Sequence, residues 1–157
     1  MSGKKFEEDF KNSFPKDMFI YKLKDAGGWG RSEETRFTIS NMCDYIAFDG
    51  ENLLLLELKS TKGKSLPFTR IRDNQYDLLY RESNKKNVYP GVIINFRELE
   101  ETYLLSIESL IEYKANSGRK SYPVDWIKKE GIRIEQQKKI TRYRYDIKRL
   151  MKDIKEE

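Results

Sequence analysis

Asp44 and, thirteen positions on, the triplet Glu57-Leu58-Lys59 are residue types and a spacing that could hydrolyse a phosphodiester. The triplet lies in the run "ENLLLLELKST". If that run is a strand, its side chains alternate, placing Leu53, Leu55, Glu57 and Lys59 on one face and Leu54, Leu56 and Leu58 on the other. The second face is wholly apolar and belongs in a core; the first is apolar only as far as Glu57. Asp49-Gly50 is a strong turn signal and predicts a hairpin back to the preceding strand. With a loop of two or four residues, Asp44 shares the face of Leu55 and Glu57. With four it lies directly opposite Glu57, with Cβ atoms about 5 Å apart. A three-residue loop would turn it to the other face.

Two carboxylates that close repel unless a proton or a cation stands between them. Mg²⁺, with Mn²⁺ as a substitute, suits that gap, since it takes hard oxygen ligands at roughly 2.1 Å and fills its remaining positions with water and phosphate. Lys59, about 6.6 Å along the same face from Glu57, would aim positive charge at the same phosphate. An ordinary cross-strand ion pair on the surface is the competing reading. Context favours a site: the polar pair ends a buried strand, and a basic loop without acids follows.

Two further positions are open on the residues alone. A helix that turns Phe6 and Phe10 inward carries Glu7 toward the edge of the buried face and Glu8 farther round, and either can be a solvated acid. Gln75, early in a helix after the basic loop, reads more readily as an exposed amide than as a ligand of a phosphate or of a metal-bound water.

Charge supports a polyanionic partner. The net charge is +5; Lys59 to Arg72 holds five basic residues (Lys59, Lys62, Lys64, Arg70, Arg72) and no acid, and Lys138 to Leu150 holds six against Asp146 alone. The chain has no histidine and one cysteine, Cys43, which excludes His-dependent triads, histidine-based nuclease sites and internal disulfides. No run approaches the roughly 20 apolar residues of a membrane span and no apolar signal run opens the chain, so a cytoplasmic protein without membrane attachment is expected.

The elements that must position these residues fit one domain of 157 residues with 38% hydrophobic and 36% charged content. Phe6, Phe10 and Phe14 predict a helix over 4–14, near Pro15. Strands are expected at 37–48, 53–59, 90–96 and 102–107, and helices at 73–83 capped by Asp73, across "SIESLIEY", and at 143–153. Residues 26–36 are glycine-rich and polar, and 60–72 are basic and interrupted by Gly63 and Pro67. Together these predict an α/β or α+β domain with a sheet of four or five strands.

In this order the motifs resemble the RecU family of Holliday junction resolvases, within the PD-(D/E)XK nuclease superfamily. "GKKFE" is similar to the family's opening motif, "CDYIAFDG" to its site strand, "ELKST" to its Glu-Ala-Lys-x-Thr, and "SLPFTRIRDNQ" to its loop and following helix; "GVIINF", "YLL" and "SGRKSYPVDW" come next in family order. The resemblance implies a restriction-endonuclease-like α/β fold and Mg²⁺ held by Asp44, Glu57 and the Leu58 carbonyl. It selects Glu7 over Glu8 as a supporting acid and makes Gln75 an active-site residue beside Lys59. It also implies branched DNA as substrate, above all four-way junctions given symmetric paired nicks by a homodimer.

The residues expected to meet DNA are Thr61, Lys62, Lys64, Arg70, Arg72, Arg119, Lys120, Arg142 and Arg144, together with Lys22, Lys24, Trp29, Arg31 and Arg36 of a shortened stalk over 22–40. There Trp29 would stack on a base at the branch. Two departures stand out: Cys43 replaces the family's threonine, and the stalk is short. The short stalk keeps two alternatives in view, a flap-type or general nuclease of the same superfamily and a junction-binding protein that does not cut.

Overall fold

The computed structural model describes residues 2–24 and 41–156. Helix α1 (Ser2–Asn12) forms where Phe6 and Phe10 recur one turn apart, and both are buried. Strand β1 (Phe19–Lys22) follows, then β2 (Tyr45–Phe48), β3 (Leu53–Thr61) and β4 (Ser65–Pro67). A single 3₁₀ turn (Phe68–Arg70) leads into α2 (Asp73–Glu82), and β5 (Val88–Phe96), β6 (Glu101–Ser106) and α3 (Ile107–Asn116) come next. The chain continues through β7 (Ser121–Pro123), α4 (Val124–Glu130), β8 (Ile132–Arg133), β9 (Gln136–Lys139) and β10 (Arg142–Tyr145) to α5 (Ile147–Lys155).

Six strands make the central sheet in the order β1-β2-β3-β5-β6-β8, with β3 and β5 parallel and the other neighbours antiparallel. It is one or two strands wider than expected, because β1 and the short β8 extend its edges. Hydrophobic side chains are buried on both faces of β3. Leu55 packs with Val92, Leu79, Leu110 and Ile127 on the side of α2, α3 and α4, while Leu54, Leu56 and Leu58 pack with Phe6, Phe10, Leu150 and Ile154 on the side of α1 and α5. The α/β architecture expected of a restriction-endonuclease-like domain, a mixed sheet between helices, is therefore present. No helix among the described residues is long and apolar enough to cross a membrane.

Three local expectations need correcting. Residues 143–145 belong to a strand, because "RYRY" alternates with a period of two, and α5 starts only after Asp146, whose side chain accepts from the Arg149 N–H at 3.0 Å. Arg72, not Asp73, is the N-cap of α2. Of the strand expected at 37–48, the structure shows β2 from Tyr45, and residues 37–40 lie outside the described residues.

Candidate active site

Asp49 builds the loop that sets the register. Its Oδ1 accepts from the N–H groups of Glu51 at 2.9 Å and Asn52 at 2.7 Å, and Gly50 takes the left-handed φ of 99° that such a turn needs. The loop is thus the four residues 49–52, with Phe48 opposite Leu53 and Tyr45 opposite Leu56. Continued by one step, that register sets Asp44 across from Glu57. The Asp44 N–H donates to the Leu56 carbonyl at 3.0 Å, and its Oδ2 accepts from the Leu58 N–H at 2.8 Å.

Glu57 is 2% exposed. Its Oε2 lies 2.8 Å from Lys59 Nζ, while its Oε1 is buried and has no hydrogen-bond partner among the described residues. Burial first, and then the negative charge of Glu57, push the Asp44 carboxyl up to about 7. The same two influences, with Asp44 adding to the second, push the neighbouring Cys43 thiol up to about 12. At Asp44 the negative charge of Glu57, midway along β3, therefore outweighs the positive charge of Lys59.

These groups open onto a cleft of ≈ 400 Å³. Glu7, Asp44, Glu57 and Leu58 line it together with the cations Lys4, Lys59, Arg70 and Arg72. Glu7 reaches the cleft because Phe6 and Phe10 seat α1 against the sheet, and Lys22 lies 3.6 Å from its carboxylate. Glu8 points away, to Arg142 at 3.1 Å. Among the described residues no group of three or more His, Cys, Asp and Glu side chains is gathered closely enough to hold a metal on its own. Two facing carboxylates with one unpartnered buried oxygen nevertheless fit Mg²⁺, which is commonly held by one or two carboxylates and completed by water and phosphate.

Other candidates sit elsewhere. Gln75 is neither an exposed amide nor in the cleft lining: it is 1% exposed, and its Oε1 accepts from the Arg72 N–H at 3.2 Å. It therefore fixes the backbone of a residue that does line the cleft. Arg142 is tied to α1, with its Nε 2.6 Å from Asp9 Oδ1, while its side chain stays 43% exposed. Thr61 is buried, and its hydroxyl lies 3.4 Å from the Ser65 carbonyl. Lys24, Lys62, Lys64, Arg119, Lys120 and Arg144 are exposed. Trp29, Arg31, Arg36 and most of the stalk expected at 22–40 lie outside the described residues.

Sequence reasoning missed Lys4 and Ser60. Lys4 was within reach, since it stands three residues before Glu7 on the same side of a helix. Ser60 carried no local signal. In the fold its hydroxyl donates to Asn95 Oδ1 at 2.9 Å and accepts from Arg97 at 3.3 Å, while its carbonyl accepts from Arg70 at 3.0 Å.

Comparison with known proteins adds an independent line. A family model described as Recombination protein U, RecU, matches residues 14–147. A Holliday junction resolvase RecU of Streptococcus gordonii is 34% identical over 105 residues, covering 66% of this chain and 52% of that protein. An SPbeta prophage-derived uncharacterized protein, YotM of Bacillus subtilis, is 27% identical over 164 residues, covering 94% of this chain and 84% of the other. The RecU of Streptococcus sanguinis is 32% identical over 106 residues, with coverages of 66% and 52%. The chain thus spans about half the length of the RecU relatives it matches. Among solved structures, the Holliday junction resolvase Hjc of Archaeoglobus fulgidus aligns with a TM-score of 0.49 at 14% identity, covering 74% of this chain and 83% of that one, a likeness too slight for anything to rest on it.

Proposed function

The chain belongs to the Recombination protein U family, and from that premise we propose that it is a metal-dependent endonuclease that resolves four-way DNA junctions by paired symmetric nicks, acting as a homodimer. The observation that carries the chemistry is the buried Oε1 of Glu57, unpartnered among the described residues, in a cleft that Asp44 also lines and that cations rim. A buried carboxylate oxygen left without a partner is costly, and beside a second acid the natural partner is a hard cation.

Asp44, Glu57 and the Leu58 carbonyl would hold Mg²⁺ or Mn²⁺, with Glu7 at the rim supporting it or its waters. When bound, the ion supplies positive charge to the phosphate and lowers the pKa of a coordinated water. Lys59, held 2.8 Å from Glu57, stands where it stabilises charge developing on the phosphate oxygens. Arg70 and Arg72 take neighbouring phosphates, and Gln75 acts at one remove by holding Arg72 in place.

Two strands cut symmetrically require two such clefts, and the described residues of one chain provide one Asp44–Glu57 pair, which supports a dimer of closed symmetry. The test is a labelled four-way junction incubated with and without Mg²⁺. The wild type is expected to give paired nicks only with metal, while D44N binds the junction and leaves it intact. Cleavage by D44N near the wild-type rate overturns the site assignment, and equal cutting of linear duplex and junction replaces the resolvase reading with that of a general nuclease.

A further inference from the structure

The hairpin of β9 and β10 ends in a conformation that its residue does not favour. Lys139 pairs with Arg142, so the turn is the two residues Ile140 and Thr141, and Ile140 sits at φ 57°. In two-residue hairpin turns that position is normally glycine, asparagine or aspartate, and a β-branched residue there is an outlier. Ile140 is also 92% exposed, the most exposed of the large hydrophobic side chains described. Strain and exposure combine in one side chain that the described residues leave almost uncovered.

The surroundings of this tip are basic. Lys138, Lys139 and Arg144 are exposed, and by strand alternation Lys139 and Arg144 share the face opposite the buried Tyr145. The hairpin is also held firmly. The Tyr143 N–H donates to Asp9 Oδ2 at 3.1 Å and the Tyr145 N–H to Ser13 Oγ at 2.9 Å, so α1 and the residue that follows it satisfy the outer edge of β10. Arg142 adds its bond to Asp9. At the base, Gln136 accepts from Thr102 at 2.6 Å, Thr102 accepts from Asn95 at 2.9 Å, and Asn95 accepts from Ser60 of the cleft. The tip is therefore fixed relative to α1 and β3, the two elements that bring Glu7 and Glu57 to the cleft.

We propose that this hairpin is a second DNA-engaging element, in which Lys139 and Arg144 bind phosphates and Ile140 is an apolar wedge that enters an unstacked base step at a branch. A two-stranded ribbon has the width to enter a duplex groove, and isoleucine is among the side chains that proteins insert between base steps. Branched DNA is the favoured ligand because its bases at the crossover are already partly unstacked, so the wedge has less stacking to disrupt. The inference rests on the nuclease reading above for its substrate class, and on the hairpin alone for its mechanism.

The test measures binding in EDTA, where no cleavage interferes, to a four-way junction and to a linear duplex of equal length, each carrying 2-aminopurine at the centre. I140G suits the turn, so its Tm is expected to equal or exceed that of the wild type. It is expected to lose about tenfold in junction affinity with a much smaller change on duplex, and to lose the 2-aminopurine signal at the branch. K139A/R144A is expected to weaken both DNAs and to reduce the salt slope by about 1 to 2. An I140G protein with wild-type junction affinity and an unchanged 2-aminopurine signal overturns the wedge, and an unchanged salt slope in the double variant overturns the phosphate contacts. Wild-type cleavage of junctions with Mg²⁺ alongside either of those results sinks the hairpin alone. Loss of junction binding in I140G, together with a wild type that cuts no DNA with Mg²⁺, sinks the nuclease reading and leaves the hairpin standing.

Discussion

Two carboxylates, Asp9 and Glu57, are buried to the same extent, each 2% exposed, yet their surroundings differ in kind. Both oxygens of Asp9 are satisfied, Oδ1 by Arg142 Nε at 2.6 Å and Oδ2 by the Tyr143 N–H at 3.1 Å. Glu57 has Lys59 on one oxygen, no hydrogen-bond partner among the described residues on the other, and a second acid on the neighbouring chain segment. Burial alone therefore says little about a carboxylate's task. A satisfied one bolts α1 to the β9–β10 hairpin; an unsatisfied one beside like charge raises the energy of the folded chain.

The largest expected effect separates the two by activity. E57Q should lower junction cleavage by at least about 10³-fold while leaving junction affinity within a few-fold, since phosphate contacts dominate binding. D9N should cut at a rate within about threefold of wild type per folded molecule. Single-turnover cleavage with each variant at matched folded concentration checks this, and equal loss in both would erase the distinction.

Stability should reverse the ranking. D9A removes the acceptor of Arg142 Nε and of the Tyr143 N–H, leaving Arg142 with Glu8 alone, and is expected to lower Tm by several degrees. In the metal-free protein E57Q should be neutral or stabilising, because it removes a buried charge with an unsatisfied oxygen. Thermal unfolding in EDTA reads both.

A pH series sharpens the point at Asp44. Its carboxyl titrates at about 7 in the folded chain, against an ordinary value of about 3.9 when unfolded. A raised folded value means that the unfolded chain loses its proton first. The contribution of Asp44 to stability is therefore greatest below about pH 4, falls as pH rises through the window to about 7, and is least above it. D44N lacks this loss, so its Tm advantage over wild type should be present at pH 8 and fade toward pH 4. Added Mg²⁺ should raise the wild-type Tm at pH 8 and leave D44N unchanged.

The smallest effect is expected at Cys43. Its side chain is 1% exposed, and its Sγ donates to the Tyr45 carbonyl at 3.4 Å rather than facing the cleft. Restoring the family's residue with C43T should change initial cleavage rates by less than about threefold.

Sequence by itself determined the parts that short-range chemistry controls. Alternation along "LLLLELKS" put Glu57 and Lys59 on one face, and Asp49 with Gly50 specified a turn whose four-residue form sets Asp44 opposite them. Spacing of Phe6 and Phe10 predicted α1 and the inward lean of Glu7. Only the tertiary structure decided the rest, because it depends on which distant segments meet. The parallel pairing of β3 with β5 sets Val92 beside the buried Glu57, the docking of α1 on β10 ties Arg142 to Asp9, and the start of α2 claims Gln75 as a backbone acceptor. A window of sequence records a residue's own preferences; the partner that satisfies a buried oxygen, or leaves it bare, comes from a segment up to 134 positions away.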